Sequence, residues 1–292
     1  MPVVRSLSLL FLAQVCVGIN IVLSKGLIEH INPLVLLAVR FSIASVFMFA
    51  LVLTQHGYDH EQVRTLNFRG WLVLLAEGIG AGVAFNFIML HGLSYTDANS
   101  AGLITSLLPA VIIVMNLIFF RQRLTARMLQ SVGLSIVGLV LINLGKNSAA
   151  SINPLVGNLL VFLALIPDSL YYVFSKLYPL RIPALFKVLI LNAINLPILY
   201  LVLLFTPGIS LASINFNDWL LMVVIGITSA LFFVFWQAGI KRIDAAYAAL
   251  STAFMPLATV ILAWLILGES LDLIKMVGMV LVIFSIIIYA RR

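Results

Sequence analysis

Charge is scarce in this chain: only 9% of its 292 residues are Asp, Glu, Lys or Arg, while 63% are hydrophobic and the mean hydropathy is +1.18. A soluble globular domain carries about a quarter charged residues, so that class is excluded and an integral membrane protein is expected. Cysteine is all but missing. Cys16 stands alone inside an apolar run, which rules out a disulfide framework or a thiolate metal site. The four histidines, His30, His56, His60 and His91, lie at run ends or in loops without a carboxylate cluster, so no catalytic residue and no metal ligand is assigned. There is no Walker A sequence to power an ATP pump. The expectation is a protein that is not an enzyme and needs no cofactor.

What is present is a succession of long apolar runs. About 20 such residues cross the hydrocarbon core as a helix whose backbone groups are satisfied internally. Ten runs qualify: Ser6 to Ile28, Pro33 to Thr54, Gly70 to His91, Asp97 to Phe120, Ala126 to Gly145, Leu155 to Lys176, Ala184 to Phe205, Asn217 to Ile240, Ala245 to Ile266 and Asp272 to Ala290. The first is read as a retained span, because no small-residue cleavage site and polar mature domain follow it. The longest connections, Gln55 to Arg69 and Thr206 to Phe216, are too short for a separate catalytic or nucleic-acid-binding module.

A net charge of +7 reports topology here. Arg5, Arg64, Arg69, Arg121, Arg123, Arg127, Arg181, Lys241, Arg242, Arg291 and Arg292 fall on alternate loops and both termini, while Lys146, Lys275 and Lys25 lie on the other side. By the positive-inside rule both termini face the cytoplasm. Nucleic acid is therefore not expected as a partner; membrane lipid is.

The chain also repeats. "DANSAGLITSLLPAVIIVMNLIFFRQRL" from Asp97 aligns without a gap on "DAAYAALSTAFMPLATVILAWLILGESL" from Asp244, matching Asp97, Ala98, Ala101, Leu103, Thr105, Pro109 and Leu124 to Asp244, Ala245, Ala248, Leu250, Thr252, Pro256 and Leu271. Phe11, Leu12, Ala13, Val22, Ser24 and Lys25 match Phe162, Leu163, Ala164, Val173, Ser175 and Lys176, and Trp71, Phe85 and Phe87 match Trp219, Phe233 and Phe235. Five spans per copy is odd, so the second copy must enter from the opposite side. The expected fold is all-α integral membrane, ten transmembrane helices as two inverted five-helix repeats, residues 1–146 and 152–292. Such repeats favour alternating access around a midplane site, hence transport.

With these residues in view, the sequence resembles the EamA-type permeases of the drug/metabolite transporter superfamily over essentially its whole length. "GINIVLSK" is similar to the family's first-span pattern at Gly18, Asn20 and Lys25, "NPLVLLAVRF" to the second-span pattern at Pro33 and Arg40, and Gly268 and Glu269 to its glycine-glutamate turn. Gln122 stands where the first repeat often has a glutamate, Val17 where a tryptophan is frequent, and Met255 where a glutamate often precedes the proline. The resemblance implies a ten-helix permease, usually an exporter of small metabolites such as amino acids.

Ionisable groups at bilayer depth are costly and face a bundle interior or a wet cavity. Asp168 lies deep in its run beside Pro167, with Tyr171, Tyr172 and Ser175 on the same helical face. It is read as a substrate or proton site, with packing against a lysine or tyrosine as the alternative. Glu77 is a second proton-coupling candidate, or else the partner of Lys187 or Lys176. Lys25, Lys176 and Lys187 have stems long enough to snorkel, and Arg40 is read as a tie between helices. Phe85, Trp236 and Gln237 can cover an amphipathic ligand, with lipid contact or plain packing as the alternative. Ser251 and Thr252 offer hydroxyls that commonly bond between helices. The candidate substrate-binding set is Asn20, Glu77, Phe85, Asp168, Tyr171, Tyr172, Trp236, Gln237 and Ser251. The function expected is a secondary active transporter of small amphipathic metabolites in a bacterial-type inner membrane, most simply an amino-acid or metabolite exporter. A channel or sensor without active transport is the alternative. The apolar exterior permits a homodimer without requiring one.

Overall fold

The computed structural model describes residues 2–54, 66–120, 125–144, 152–178, 180, 182–207, 214–240, 254–269 and 272–290. Among them every regular element is helical: α1 Pro2–Leu27, α2 Pro33–Thr54, α3 Phe68–Gly78, a π-helical segment Ile79–Ala84, α4 Phe85–Tyr95, α5 Ala98–Thr105, α6 Leu108–Phe120, α7 Ala126–Leu144, α8 Pro154–Leu177, α9 Ala184–Ala193, α10 Asn195–Phe205, α11 Phe216–Ile240, α12 Phe254–Leu267 and α13 Leu273–Ala290.

Local chemistry sets the ends. Asn67 and Asp97 have extended backbones and accept from the amides of Gly70 and Ser100, three residues on, as helix N-caps do. Asn153 caps α8, whose first residue is Pro154. At the end of α12, Gly268 takes φ +67°, which a side chain disfavours, and so turns Glu269 back toward the bundle.

Among the described residues six helical runs are long and apolar enough to cross a membrane: Arg5–Leu27, Pro33–Thr54, Phe68–Tyr95, Pro154–Tyr171, Ala184–Phe205 and Phe216–Gly239. A seventh is made if Ala98–Thr105 and Ala110–Phe119, bent by 41°, are one span. The bend precedes Pro109, whose missing N–H interrupts the ladder there. Leu129–Ile142, Phe254–Leu267 and Leu273–Ser285 are shorter apolar helices. Where ten runs of crossing length were expected, the described residues thus hold six or seven, with three shorter ones beside them. Leu53, Leu204, Phe205 and Trp264 stand well exposed, the surface of a protein solvated by lipid.

Side-chain contacts fix the relative direction of the helices. Between α7 and α13, Ser131 Oγ donates to the Ser285 carbonyl (2.9 Å), the Ser135 and Ser285 hydroxyls lie 2.7 Å apart, and Gly138 and Gly278 each meet the other's backbone. Beyond them Ile142 packs on Gly278 and Val282 on Gly138, so numbers rising along α7 meet numbers falling along α13. The pair is antiparallel, and its glycines let the backbones touch. By the same test α1 runs antiparallel to α11 (Asn20 on Thr228, Leu10 on Gly239), and α4 to α8 (Thr96 on Asn158, Gly92 on Val161). α1 runs parallel to α12, through Phe11 on Phe254, Gly18 on Thr259 and Gly26 on Leu267.

The largest core cluster draws on both halves of the chain, with Val22, Leu93, Leu103 and Ile142 packed among Val161, Ala263 and Val282. Inside a bilayer such burial gains close packing rather than escape from water.

Candidate functional site

The centre is organised by the glycine-rich stretch "GIGAG", residues 78–82, which leads into the π-helical segment. A π segment inserts an extra residue into the turn and frees carbonyls to bond outside the helix. Asn86 uses two of them, donating from Nδ2 to the Gly82 carbonyl at 2.7 Å and to the Ala81 carbonyl at 3.3 Å. Gly82 lies directly against the side chain of Asn195, whose Oδ1 accepts from Val83 N at 3.2 Å. Asn195 begins α10, immediately after the break that follows α9. Gly80 lies under the carbonyl of Pro167: a Cβ there would be 3.0 Å from that oxygen. The π segment therefore needs its glycines because α8 and α10 approach its backbone.

Arg40 enters from α2. Its Nε donates to Ser229 Oγ at 2.7 Å and one Nη to Asn86 Oδ1 at 2.6 Å. Ser229 donates in turn to Asn20 Oδ1 at 2.7 Å, and Asn20 Nδ2 donates to Thr228 Oγ1 and to the Cys16 carbonyl, both at 2.9 Å. Four spans are tied by this chain of bonds. Arg40 keeps a partly open side chain and, among the described residues, no carboxylate partner. The expectation that it ties helices is met; among the described residues its remaining donors are unspent.

Asp168 follows Pro167 on α8. Its side chain is half-buried, and among the described residues neither a hydrogen bond nor an ion pair reaches its carboxylate. One turn on, Tyr171 presents its ring to Lys187 Nζ, 5.2 Å from the ring centre. The same ammonium lies 2.7 Å from Glu77 Oε2 on α3, and Glu77 is fully buried. Of the two partners considered for Glu77, Lys187 occupies the place.

The other sequence-derived candidates are distributed. Asn20 is committed to the network of Arg40. Phe85, where the π segment becomes α4, packs on the main apolar core with Ile21 and Met89. Trp236 stacks on Phe232 at 6.1 Å. It and Gln237 lie two turns or roughly 12 Å along α11 from Thr228, toward the end where Gly239 meets Leu10. The side chain of Tyr172 and all of Ser251 lie outside the described residues. Arg40, Asn86, Asn195 and Ser229 were not in the candidate set. Their signal is a guanidinium, amide or hydroxyl inside an apolar run, and glycine at every second residue of 78–82 marks the backbone that Asn86 and Asn195 approach.

A second polar cluster closes one end of the bundle. Lys25 is buried, and its Nζ donates to the Leu93 carbonyl at 2.9 Å instead of snorkelling outward. Lys275 Nζ, also buried, reaches Asp97 Oδ2 at 3.0 Å and Ser100 Oγ at 2.7 Å. Glu269 accepts from the amides of Ala98 and Asn99, each at 2.9 Å, at the start of α5. Burial works against ionisation of Asp97, but Lys275 and the Ser100 amide and hydroxyl outweigh it and hold the carboxyl below the usual range. At Glu269 burial wins and pushes the carboxyl up, against the pull of its two amide donors and Lys25. No group of three or more metal-ligating side chains comes together among the described residues.

Comparison with known proteins places this architecture. Over 288 residues the chain is 26% identical to the uncharacterized transporter YetK of Bacillus subtilis, covering 94% of this chain and 84% of that one. It is 26% identical over 275 residues to YyaM of the same organism (92% and 88% covered), and 22% identical to an uncharacterized transporter of Archaeoglobus fulgidus (94% and 95% covered). A crystal structure that is 21% identical superposes with a TM-score of 0.64 over 97% of this chain and 96% of its own, a likeness of fold. A profile of the EamA-like transporter family matches residues 4–144 and, a second time, residues 155–291. Matched twice and almost end to end, the chain belongs to the EamA-like transporter family.

Proposed function

We propose that this transporter is a secondary carrier of small zwitterionic metabolites, amino acids foremost, working by alternating access between two inverted five-helix repeats. The duplicated family match supports the repeats, and the helix directions support their inversion. The closing helices of the two halves, α7 and α13, run antiparallel, and a contact of α4 with α8 has its counterpart between α11 and α1. Gly92 against Gly157 and Val161 corresponds, in the alignment of the halves, to Gly239 against Ser6 and Leu10. An inverted pair with a midplane site is the design that lets one path open to either side in turn.

The observation that carries the substrate reading is the pair of opposite charges at Arg40 and Asp168, neither with an ionic partner among the described residues. Each is held beside the same helical run. Asn86, which orients Arg40, and Gly80, which touches Pro167, are six residues or roughly 9 Å apart along it. A charge left unpaired at this depth is expensive unless a ligand or water completes it. An ammonium suits Asp168, a carboxylate suits the unspent guanidinium donors of Arg40, and Tyr171 lies one turn from Asp168. Trp236 and Gln237 then line the path toward the other end, and Asp168 is the group best placed to exchange a proton. The positive-inside pattern supports cytoplasmic termini in a bacterial-type inner membrane. Export follows the family resemblance.

The test is uptake into proteoliposomes of a labelled amino acid, its decarboxylated amine and its deaminated acid, with and without a pH gradient. Saturable uptake of the zwitterion is expected. Asp168→Asn should lower it about tenfold or more, the scale of one charged hydrogen bond. Arg40→Lys should raise KM for the zwitterion while sparing the amine. Unchanged transport and unchanged pH dependence in Asp168→Asn would overturn the assignment.

A further inference from the structure

We propose that Glu269, Asp97 and Lys275 form a latch that shuts the transport path at the end of the bundle bearing the α4–α5 turn. This rests on the alternating-access reading above and adds the part that holds one side closed. The helices α1, α2, α11 and α12 pack together and α4 and α6 pack on α8, while α5 lies between them, against α12 and α1 on one side and α8 on the other, and α7 and α13 pair alongside. An alternating path must part these groups at one end at a time.

At the α4–α5 turn three buried side chains from three different helices or their ends converge on residues 93–100. Lys25 of α1 takes the Leu93 carbonyl, Glu269 beyond α12 takes the amides of Ala98 and Asn99, and Lys275 of α13 takes Asp97 and Ser100. Lys25 bridges from α1 to the end of α4, Glu269 fixes the start of α5 to the end of α12, and Lys275 secures the same turn to the flanking pair. Just inside them α5 and α12 touch, where Gly102 presses on Thr259 and Thr105 donates to the Met255 sulfur at 3.8 Å.

The bonds are of a kind that can be made and broken. Each joins a charged group to a helix end, a hydroxyl or another charged side chain, so water can replace either partner when the groups separate. The closed turn also carries a cost: Asn99 Oδ1 is buried with no hydrogen-bond partner among the described residues, and opening would hydrate it. In the aligned sequence Asp97 has a counterpart in Asp244, but Glu269 has no acidic one. The residue aligned with Glu269 in the first half is Gln122, which cannot supply a carboxylate.

The test uses the full chain with Cys16→Ala, and Asp168→Cys as a reporter of access to the centre. Its reaction with a membrane-impermeant thiol reagent is timed from each side of sealed vesicles. With the latch intact, the reporter should react from the opposite side and be protected on the latch side. Glu269→Gln and, separately, Lys275→Met should raise the latch-side rate about tenfold, the shift expected from losing one charged hydrogen bond. Reaction from one side only, unchanged by either substitution, would overturn the latch and leave the carrier reading standing. No reaction from either side in any variant would mean a closed, dry centre and would overturn both. If both variants, and Asp97→Asn as well, fail to give monodisperse protein, the cluster serves folding and the latch is also overturned.

Discussion

Lys187 on α9 lies 2.7 Å from Glu77 on α3, and among the described residues no ion pair reaches Asp168. The ammonium that faces the Tyr171 ring is thereby already engaged. Glu77 is fully buried while Lys187 keeps some exposure, so the two partners are unequal in what they lose when parted.

Removing one member should therefore cost more than removing both. Glu77→Gln strands an ammonium and Lys187→Met strands a buried carboxylate; each is expected to lower stability by about 3 kcal/mol, with Lys187→Met the worse. Glu77→Leu with Lys187→Met should recover most of the loss. Thermal unfolding of the detergent-solubilised protein measures all three, and additive losses in the double variant would dismiss the pair.

The glycines of the π segment predict a sharp contrast. Gly82→Ala would drive a methyl into the side chain of Asn195, which the Val83 amide and the Leu191 carbonyl hold in place, and should cost at least about 2 kcal/mol and disturb transport. Gly133 on α7 faces open space, so Gly133→Ala should leave stability unchanged or raise it by about 0.5 to 1 kcal/mol. Equal effects at the two positions would show that the close approach at Gly82 is unimportant.

Acid should act oppositely on the two carboxylates of the end cluster. Asp97 is held below the usual range, so the stability it contributes is complete above the ordinary aspartate value and is lost as pH falls through its lower folded value. Glu269 is pushed up, so its ionisation costs stability as pH rises from the ordinary glutamate value through the higher folded one. Unfolding temperatures across pH should lose the acid-side fall in Asp97→Asn and the rise-side loss in Glu269→Gln. A pH profile identical to the unmodified protein in both variants would remove these groups from the account.

Much of this was legible because charge in an apolar run is conspicuous. Asp168, Glu77 and Arg40 announce themselves, and sequence spacing gives their depth. It does not give their azimuth. Lys25 has a stem long enough to snorkel, yet it points inward to the Leu93 carbonyl because α1 is rotated toward α4. Trp236 with Gln237 looked like a ligand wall, but two turns of α11 separate the pair from the Asn20 and Ser229 network. "GIGAG" reads equally as packing glycine; only the arrival of Asn195 and the Pro167 carbonyl at its backbone reveals a hub. The direct repeat of residues was visible in the sequence, whereas the direction of α7 against α13 required contacts.

The helices that touch most intimately belong to opposite halves: α1 with α11, α4 with α8, α7 with α13. A ribosome delivers the first half long before the second exists, so the earliest-inserted segments must wait in the lipid without their partners. Assembly is consequently a late event, and neither half by itself is a folding unit. Severing the polypeptide between 144 and 155 should then be survivable only when both fragments are made together.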